Sequence, residues 1–201
     1  MFSGIIEDKG QIFKIKRNGD KKIFISTKIN YKNLKIGSSV CCNGVCLTVV
    51  KRGRKKKNNW FAITTSKETL AKSNLDSLKE GSKINLETSI KAGEEISGHL
   101  VFGHIDKTIN VISKRFVGSS LLLKLDLPSK LRSFITTKGS VTVNGVSLTI
   151  NNVTENFFEV NIIPHTLKTT TFDKVRIDDY LNVEVDMIAR YVSNYININK
   201  L

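Results

Sequence analysis

Hydrophobic and polar residues alternate in short stretches along most of this chain. Leu181, Val183 and Val185 alternate with Asn182, Glu184 and Asp186, the period of a half-buried strand. Val141 and Val143 alternate in the same way before Asn144-Gly145, and Asn43-Gly44 follows a similar run earlier. Asn-Gly is the preferred pair for a tight hairpin because both residues tolerate positive φ. The alternation stops near the end. Ile188, Tyr191, Val192, Tyr195 and Ile196 fall on one stripe of a helix. A helix of ~11 residues is marginal alone, so it must pack on its own barrel or on a partner chain, and the pattern does not choose between them. Short helices are also expected at Ser66–Lys72 and near Pro164–Lys168.

The strand pattern occurs twice. Cys42-Asn43-Gly44-Val45-Cys46-Leu47-Thr48 matches Val143-Asn144-Gly145-Val146-Ser147-Leu148-Thr149 at an offset of 101. Lys67–Leu70 matches Pro164–Leu167, and Ile84–Glu87 matches Leu181–Glu184, both at 97. Phe2–Glu7 loosely matches Val101–Asp106 at 99. A repeat of this period is a tandem domain pair, not a solenoid. The expected architecture is all-β: two homologous small closed β-barrels over 1–97 and 98–186, then a C-terminal α-helix over 187–201. Closing each barrel removes edges that would otherwise aggregate.

Composition agrees with a folded chain: 201 residues, 40% hydrophobic, 25% charged and 2 prolines. No stretch approaches the ~20 apolar residues that span a bilayer, so no membrane partner is expected. The N-terminus lacks a basic region followed by an apolar run, so no secretory signal is expected. The three cysteines, Cys41, Cys42 and Cys46, are no disulfide framework; Cys42 and Cys46 would share a strand face but sit too far apart to bridge. They suggest a reducing, cytoplasmic setting. No ligand spacing for a metal is present.

The net charge of +14 invites a nucleic-acid reading. Its distribution argues otherwise. Residues 1–97 carry 20 Lys/Arg against 9 Asp/Glu, residues 98–201 carry 12 against 9, and much of the excess is the run Lys51–Lys57. That run reads as an exposed, solvated hairpin loop. The 25 lysines and 18 asparagines are spread over the chain, which points to compositional drift, and arginine, the better phosphate fork, numbers only 7. A nucleic-acid barrel needs aromatic platforms beside its cations. Trp60 follows the run with few other aromatics nearby in sequence, so no nucleic-acid partner is expected.

Candidate chemistry is sparse. His99 and His104 each follow a glycine, and a turn-capping role is the ordinary reading for such histidines. Cys46 and Ser147 occupy the same slot of the repeat, a small polar group suited to hydrogen bonding a ligand. There is no GxSxG, P-loop or dinucleotide fingerprint.

Taken together, Met1–Glu7, the Asn-Gly-Val-Cys-Leu-Thr and Asn-Gly-Val-Ser-Leu-Thr pair, Gly98–Ile105 and Ile163–Leu167 resemble the alpha-chain riboflavin synthases, a family of duplicated lumazine-binding domains. The likeness runs in order from residue 1 to about 190. It implies that the two tandem barrels are six-stranded and Greek-key-like, a homotrimer assembled through the C-terminal helix, possible association with lumazine synthase, and no metal or organic cofactor. It implies that two molecules of 6,7-dimethyl-8-ribityllumazine dismutate at a site joining the N-barrel of one subunit to the C-barrel of another. One lumazine gives a four-carbon unit to the other, and the first step removes a proton from a 7-methyl group.

By the same resemblance, Gly4, Ile5, Ile6, Cys46, Leu47, Thr48, Thr64, Thr65, Ser66, Lys67, Glu68 and Thr69 line the N-barrel pocket. Gly103, His104, Ile105, Lys138, Ser147, Leu148, Thr149, Asn161, Ile162, Ile163, Pro164, His165 and Thr166 line the C-barrel pocket. His104 is the favoured proton-transfer group. Cys46 and Ser39 assist at the acceptor, Phe2 shapes the interface, and Asp186 places a charge near the reacting pair. The family's non-catalytic antenna relatives tend to lose C-barrel ligand residues; Lys138, Ser147, Thr149 and His104 are all present here. His165 and the basic run are departures from the pattern.

Overall fold

The computed structural model describes residues 1–55 and 58–199. The first barrel contains β1 (Asp8–Asn18), β2 (Asp20–Thr27), β3 (Ser39–Cys42), β4 (Val45–Lys55), β5 (Asn58–Thr65) and β6 (Lys83–Thr88). The second contains β7 (Lys107–Val117), β8 (Ser120–Asp126), β9 (Ser140–Val143), β10 (Val146–Val153), β11 (Phe157–Ile162) and β12 (Tyr180–Val185). Helices α1 (Lys67–Lys72) and α2 (Pro164–Thr169) occupy matching places, and α3 (Met187–Ile198) ends the chain.

Both barrels are closed, with neighbours in the order β1-β2-β5-β4-β3-β6 and β7-β8-β11-β10-β9-β12. One extra residue interrupts the ladder at Ile12/Lys14 and Val49/Lys51, and at Val111/Ser113 and Ile150/Asn152 in the twin. Such bulges bend a strand and help a small sheet close. Alternation fills each interior: Ile12, Ile23, Ile25, Val49 and Phe61 in one, Val111, Leu123, Leu125, Ile150 and Phe158 in the other, all fully buried.

The barrels meet tip to tip at their Asn-Gly turns. Asn43 and Gly44 hold φ of 47° and 86°, Asn144 and Gly145 hold 46° and 82°. A side chain on Gly145 would come within 2.7 Å of the Gly44 nitrogen, so only glycine permits this approach. Two buried asparagines lock the seam. Asn85 Nδ2 donates to the Asn144 carbonyl at 2.9 Å, and Asn182 Nδ2 donates to the Asn43 carbonyl at 2.7 Å. Phe2 and Val101 add a short antiparallel bridge between the segments that lead into each barrel. Phe2 is wholly buried there, so it shapes the seam within the chain and not an exposed face.

Two sequence expectations change. The basic run 51–57 is mostly strand: β4 continues to Lys55, which pairs with Asn58, and residues 56 and 57 lie outside the described residues. Arg52 and Arg54 stack over the Tyr31 ring at 4.2 and 4.5 Å. The cysteine geometry also differs. The two-residue turn folds β4 back so that Cys41 faces Cys46, while Cys42 faces Val45 and points into the core.

Helix α3 is held at its start. Asp186 caps it by accepting from the Ile188 N–H at 2.8 Å, and Arg190 pairs with Asp106. Its apolar stripe is not covered: Tyr191 and Tyr195 are each 70% exposed, and Ile188, Val192 and Ile196 are also exposed.

Candidate active site

Each barrel's outer face is completed by the segment that leads into the other barrel. Ser147 N–H donates to the Gly4 carbonyl at 2.8 Å, and Cys46 N–H donates to the Gly103 carbonyl at 2.9 Å. Gly4 and Gly103 have φ of 77° and 81°, and a side chain at either would strike Ser147 or Cys46. Ile6 packs on the second core and Ile105 on the first. This reverses the assignment expected from sequence. Gly4, Ile5 and Ile6 belong with the C-barrel face, and Gly103, His104 and Ile105 with the N-barrel face. The crossover follows from the seam: the lead-in strands exchange at the Phe2–Val101 bridge before entering their own barrels.

A buried carboxylate fixes each segment. Glu87 accepts from the N–H groups of Ser3 (2.7 Å) and Gly4 (3.0 Å) and from the Ser3 hydroxyl (2.9 Å). Glu184 accepts from the N–H groups of Phe102, Gly103 and His104 at 2.7, 2.8 and 3.0 Å. Burial raises the pKa of both above the usual carboxylate value, and the backbone donors oppose that shift. Neither glutamate stood out by sequence alone beyond its place in the repeat.

On the N-barrel side a cavity of about 270 Å3 is lined by Val45, Cys46, Glu68, Thr69, Lys72, Ser73, Gly103, His104 and Ile105. Here Cys46 and His104 share one site. Ser66 caps α1, accepting from the Thr69 N–H at 3.2 Å, which places Thr69 at the mouth. Glu68 is paired with Lys72 at 3.1 Å on the exposed rim, and Lys67 is exposed. Thr48 lies exposed on the outer face and Thr64 is half-buried. Leu47 and Thr65 are buried, with the Thr65 hydroxyl donating to the Lys21 carbonyl, so only their backbones can meet a ligand.

On the C-barrel side the Ser147 hydroxyl lies 2.7 Å from His99 Nδ1, and Thr142 Oγ1 lies 3.1 Å from His99 Nε2. A neutral imidazole has one donor and one acceptor, so one hydroxyl donates and the other accepts. Burial lowers the His99 pKa, and the Asp186 carboxylate opposes this. His99 is the site residue sequence reasoning missed; its turn-capping reading gave no hint of a Ser147 contact. Asn161 Oδ1 is buried without a hydrogen-bond partner, the orphan acceptor found among the described side chains. Leu148 and Ile162 point into the core, while Thr149, Ile163, Pro164 and His165 are exposed and Thr166 is half-buried.

Three expected residues stand apart from these clusters within one chain. Ser39 faces Thr48 across β3–β4 and lines a separate hollow of about 870 Å3 with Arg52, Arg54, Lys32, Lys35 and Lys91. Lys138 is exposed at φ 67°, where the twin barrel has Gly37 at 85°. Asp186 is half-buried at the start of α3. Another hollow, of about 600 Å3, opens beside the seam near Asn74 and Tyr180. Both hollows are roomier than the Cys46 cavity, but neither contains Cys46, Ser147 or a histidine. Aromatics near the basic run are more numerous than the linear sequence suggested: Trp60 clusters with Phe13 and Phe24 at 6.3 and 6.1 Å. Trp60 covers Gly53, on the face of the ribbon opposite Arg52 and Arg54, so rings and guanidinium groups do not form one platform.

The profile of the lumazine-binding domain matches this chain twice, over residues 3–89 and 102–186. The chain belongs to the riboflavin synthase family. It is 39% identical to riboflavin synthase of Brucella abortus (strain 2308), over the full length of both chains. Riboflavin synthase of Bacillus subtilis (strain 168) is 34% identical over 98% of this chain and 90% of that one. In fold, the family's paired barrels superpose on LumP complexed with riboflavin with a TM-score of 0.79, at 22% identity over 92% of this chain and 99% of that one. LumP complexed with 6,7-dimethyl-8-(1'-D-ribityl) lumazine gives 0.77 at 23% identity over the same shares. No helix among the described residues is long and apolar enough to cross a membrane.

Proposed function

We propose that the chain is a transferase that dismutates two molecules of 6,7-dimethyl-8-ribityllumazine into riboflavin and 5-amino-6-(ribitylamino)uracil. Family membership over the whole length carries the reading. The duplicated, cross-completed outer faces explain why the fold suits it. A reaction between two copies of one molecule needs two related cradles, and holding both reactants in register is worth up to ~7–11 kcal/mol.

The N-barrel cradle is the Cys46 cavity, with His104 moving the 7-methyl proton. The C-barrel cradle is the face around Ser147, Thr149 and Asn161 to Thr166, completed by Gly4, Ile5 and Ile6. Asn161 Oδ1 awaits a donor, which an N–H of the pyrimidinedione ring supplies. His99 holds the Ser147 hydroxyl, and its depressed pKa keeps it neutral near pH 7.

Ser39, Lys138 and Asp186 act across a subunit boundary, where the N-barrel of one chain faces the C-barrel of another. Lys138 supports this. A non-glycine residue at positive φ costs of order 1 kcal/mol, and the twin position is glycine, so the side chain is retained against backbone strain. The bare stripe of α3 is the contact through which the chains form a homotrimer, which also permits association with lumazine synthase. We take the domain limits as 1–97 and 98–186 with 187–201 serving assembly, and the compartment as the cytoplasm.

The test is purified protein mixed with the ribityllumazine alone. Riboflavin fluorescence should grow without added cofactor, and His104→Gln and Cys46→Ser should slow it. Protein that binds the lumazine yet yields no riboflavin would refute the enzyme reading.

A further inference from the structure

The β3–β4 hairpin places two thiols in register. Cys41 and Cys46 are directly opposite across the ladder. The Cys46 N–H is spent on the Gly103 carbonyl and not on β3, so the rung is a non-hydrogen-bonded pair. In such pairs the Cα atoms approach to about 4.5 Å, inside the disulfide range. Both side chains leave the barrel on its outer face, where Cys46 packs against the small cluster of Phe2, Cys41 and Val101. Cys42, next in sequence, points the other way into the core.

We propose that Cys41 and Cys46 are a modification site, oxidised by a peroxide to a reversible disulfide that withdraws Cys46 from the wall of the N-barrel cavity. Cys46 is the entry point, since it is half-exposed and lines the cavity, whereas Cys41 is buried. Cys46 sulfur attacks a peroxide oxygen; the O–O bond breaks, one water leaves, and a sulfenic acid forms. Cys41 sulfur then attacks that sulfur, the S–O bond breaks, and a second water carries off the proton. Two thiols and one hydrogen peroxide thus give one disulfide and two waters.

Burial and the neighbouring Glu87 and Glu184 hold the Cys41 thiol well above its usual pKa. That makes Cys41 a poor first nucleophile and slows the closing step, so the sulfenic acid persists long enough to be trapped. The ring closed across a tight hairpin is short, so little chain entropy favours the bond and thiols readily reopen it. The matching rung of the second barrel is Thr142 opposite Ser147, which cannot be oxidised this way. One barrel is therefore sensitive to oxidant and its twin is not.

The effect on turnover rests on the proposed role of the Cys46 cavity; the bond itself does not. Full-length protein is treated with hydrogen peroxide, and thiols are counted after denaturation. Two of the three should disappear in wild type and both of the remaining two in Cys42→Ala, with the link mapped to Cys41–Cys46 by peptide fragmentation. Cys41→Ser should instead accumulate a sulfenic acid at Cys46 that dimedone captures. Turnover of ribityllumazine should fall by roughly tenfold to a hundredfold, the scale of a misplaced contact at a reacting centre, and return with dithiothreitol. A bond mapped to Cys42, or three free thiols after treatment, overturns the proposal. A mapped Cys41–Cys46 bond with turnover unchanged overturns the withdrawal from the cavity. Failure of the enzyme reading itself is separately visible, as untreated protein that makes no riboflavin.

Discussion

In the first barrel Cys41 faces Cys46 on the β3–β4 ladder; at the same rung of the second, Thr142 faces Ser147 with His99 bridging both hydroxyls. Beneath these rungs the two barrels do the same thing. Asn85 and Asn182 cross the seam, and Glu87 and Glu184 grip a lead-in segment. The difference shows which parts a duplicated fold leaves free to vary. Groups that hold one barrel on the other are repeated, since each satisfies buried backbone whose loss is costly. Groups that face outward at the cradles have diverged into a thiol pair and a hydroxyl–imidazole cluster, which suits two copies of one substrate meeting different fates.

The largest expected effect comes from removing a gripping carboxylate. Glu184→Ala leaves three buried N–H groups without an acceptor, and Glu87→Ala leaves two N–H groups and a hydroxyl. Each should cost about 3–5 kcal/mol by urea unfolding. The crossover makes the local damage appear in the opposite barrel. Glu184 belongs to β12, yet the segment it holds completes the Cys46 cavity. Glu184→Ala should therefore speed thiol labelling of Cys46, while Glu87→Ala should leave it unchanged. Equal labelling in both variants would break the crossed arrangement.

The cores and the fold were open to sequence reading because alternation and the Asn-Gly turns are local. Alternation places Val141, Val143, Leu181 and Val183 without reference to anything distant, and the repeat supplied the second barrel from the first. The crossover was not legible. Whether Gly4 completes its own barrel or its neighbour depends on contacts some 140 residues away in the chain, such as Ser147 N–H to the Gly4 carbonyl, and no spacing rule carries that. The Cys41–Cys46 rung failed for another reason: counting along one strand ignored the turn between them. His99 went unassigned because a histidine beside a glycine has several equal readings until its partners are known.

A smaller effect separates the two barrels at a shared need. Leu78 and Val175, matching residues before β6 and β12, both have carbonyls capped by lysine, but from different strands. In the first barrel Lys21 reaches in from β2 and donates to Leu75, Asp76 and Leu78 at 2.7, 2.9 and 3.2 Å; in the second Lys114 comes from β7. Ile15 and Leu121 occupy the alternate positions. Lys21 is only 2% exposed; burial lowers its pKa, and the three carbonyls oppose that by accepting from its ammonium. Lys21→Met should cost about 2–3 kcal/mol in thermal or urea unfolding, because three carbonyls lose their donor. Lys114→Met, on an exposed strand end with one acceptor, should cost under about 1 kcal/mol. Equal losses would mean the two lysines are not alternative solutions to one problem.

The smallest effect is a pH dependence that belongs to one barrel only. His99 is half-buried between two hydroxyls, and its folded pKa lies below the ordinary 6.5. Between those two values the unfolded chain binds more protons than the folded one. Stability from this group is therefore full above about pH 6.5 and is lost as pH falls toward the folded value. Glu87 and Glu184 act with the opposite sign: their folded pKa values are raised, so the unfolded chain releases protons first, and stability falls as pH rises above 4.5 through the folded values. The matching rung of the first barrel has no imidazole, so His99→Gln should flatten the decline in urea midpoint between pH 7 and 5.5 while leaving the carboxylate-driven part in place. Glutamine keeps one donor and one acceptor for Ser147 and Thr142, so its midpoint at pH 7.5 should stay close to that of the parent. A decline that persists unchanged in His99→Gln would mean that the imidazole does not carry it, and would remove the ground for treating the Ser147 cluster as a neutral counterpart to the thiol-bearing cradle.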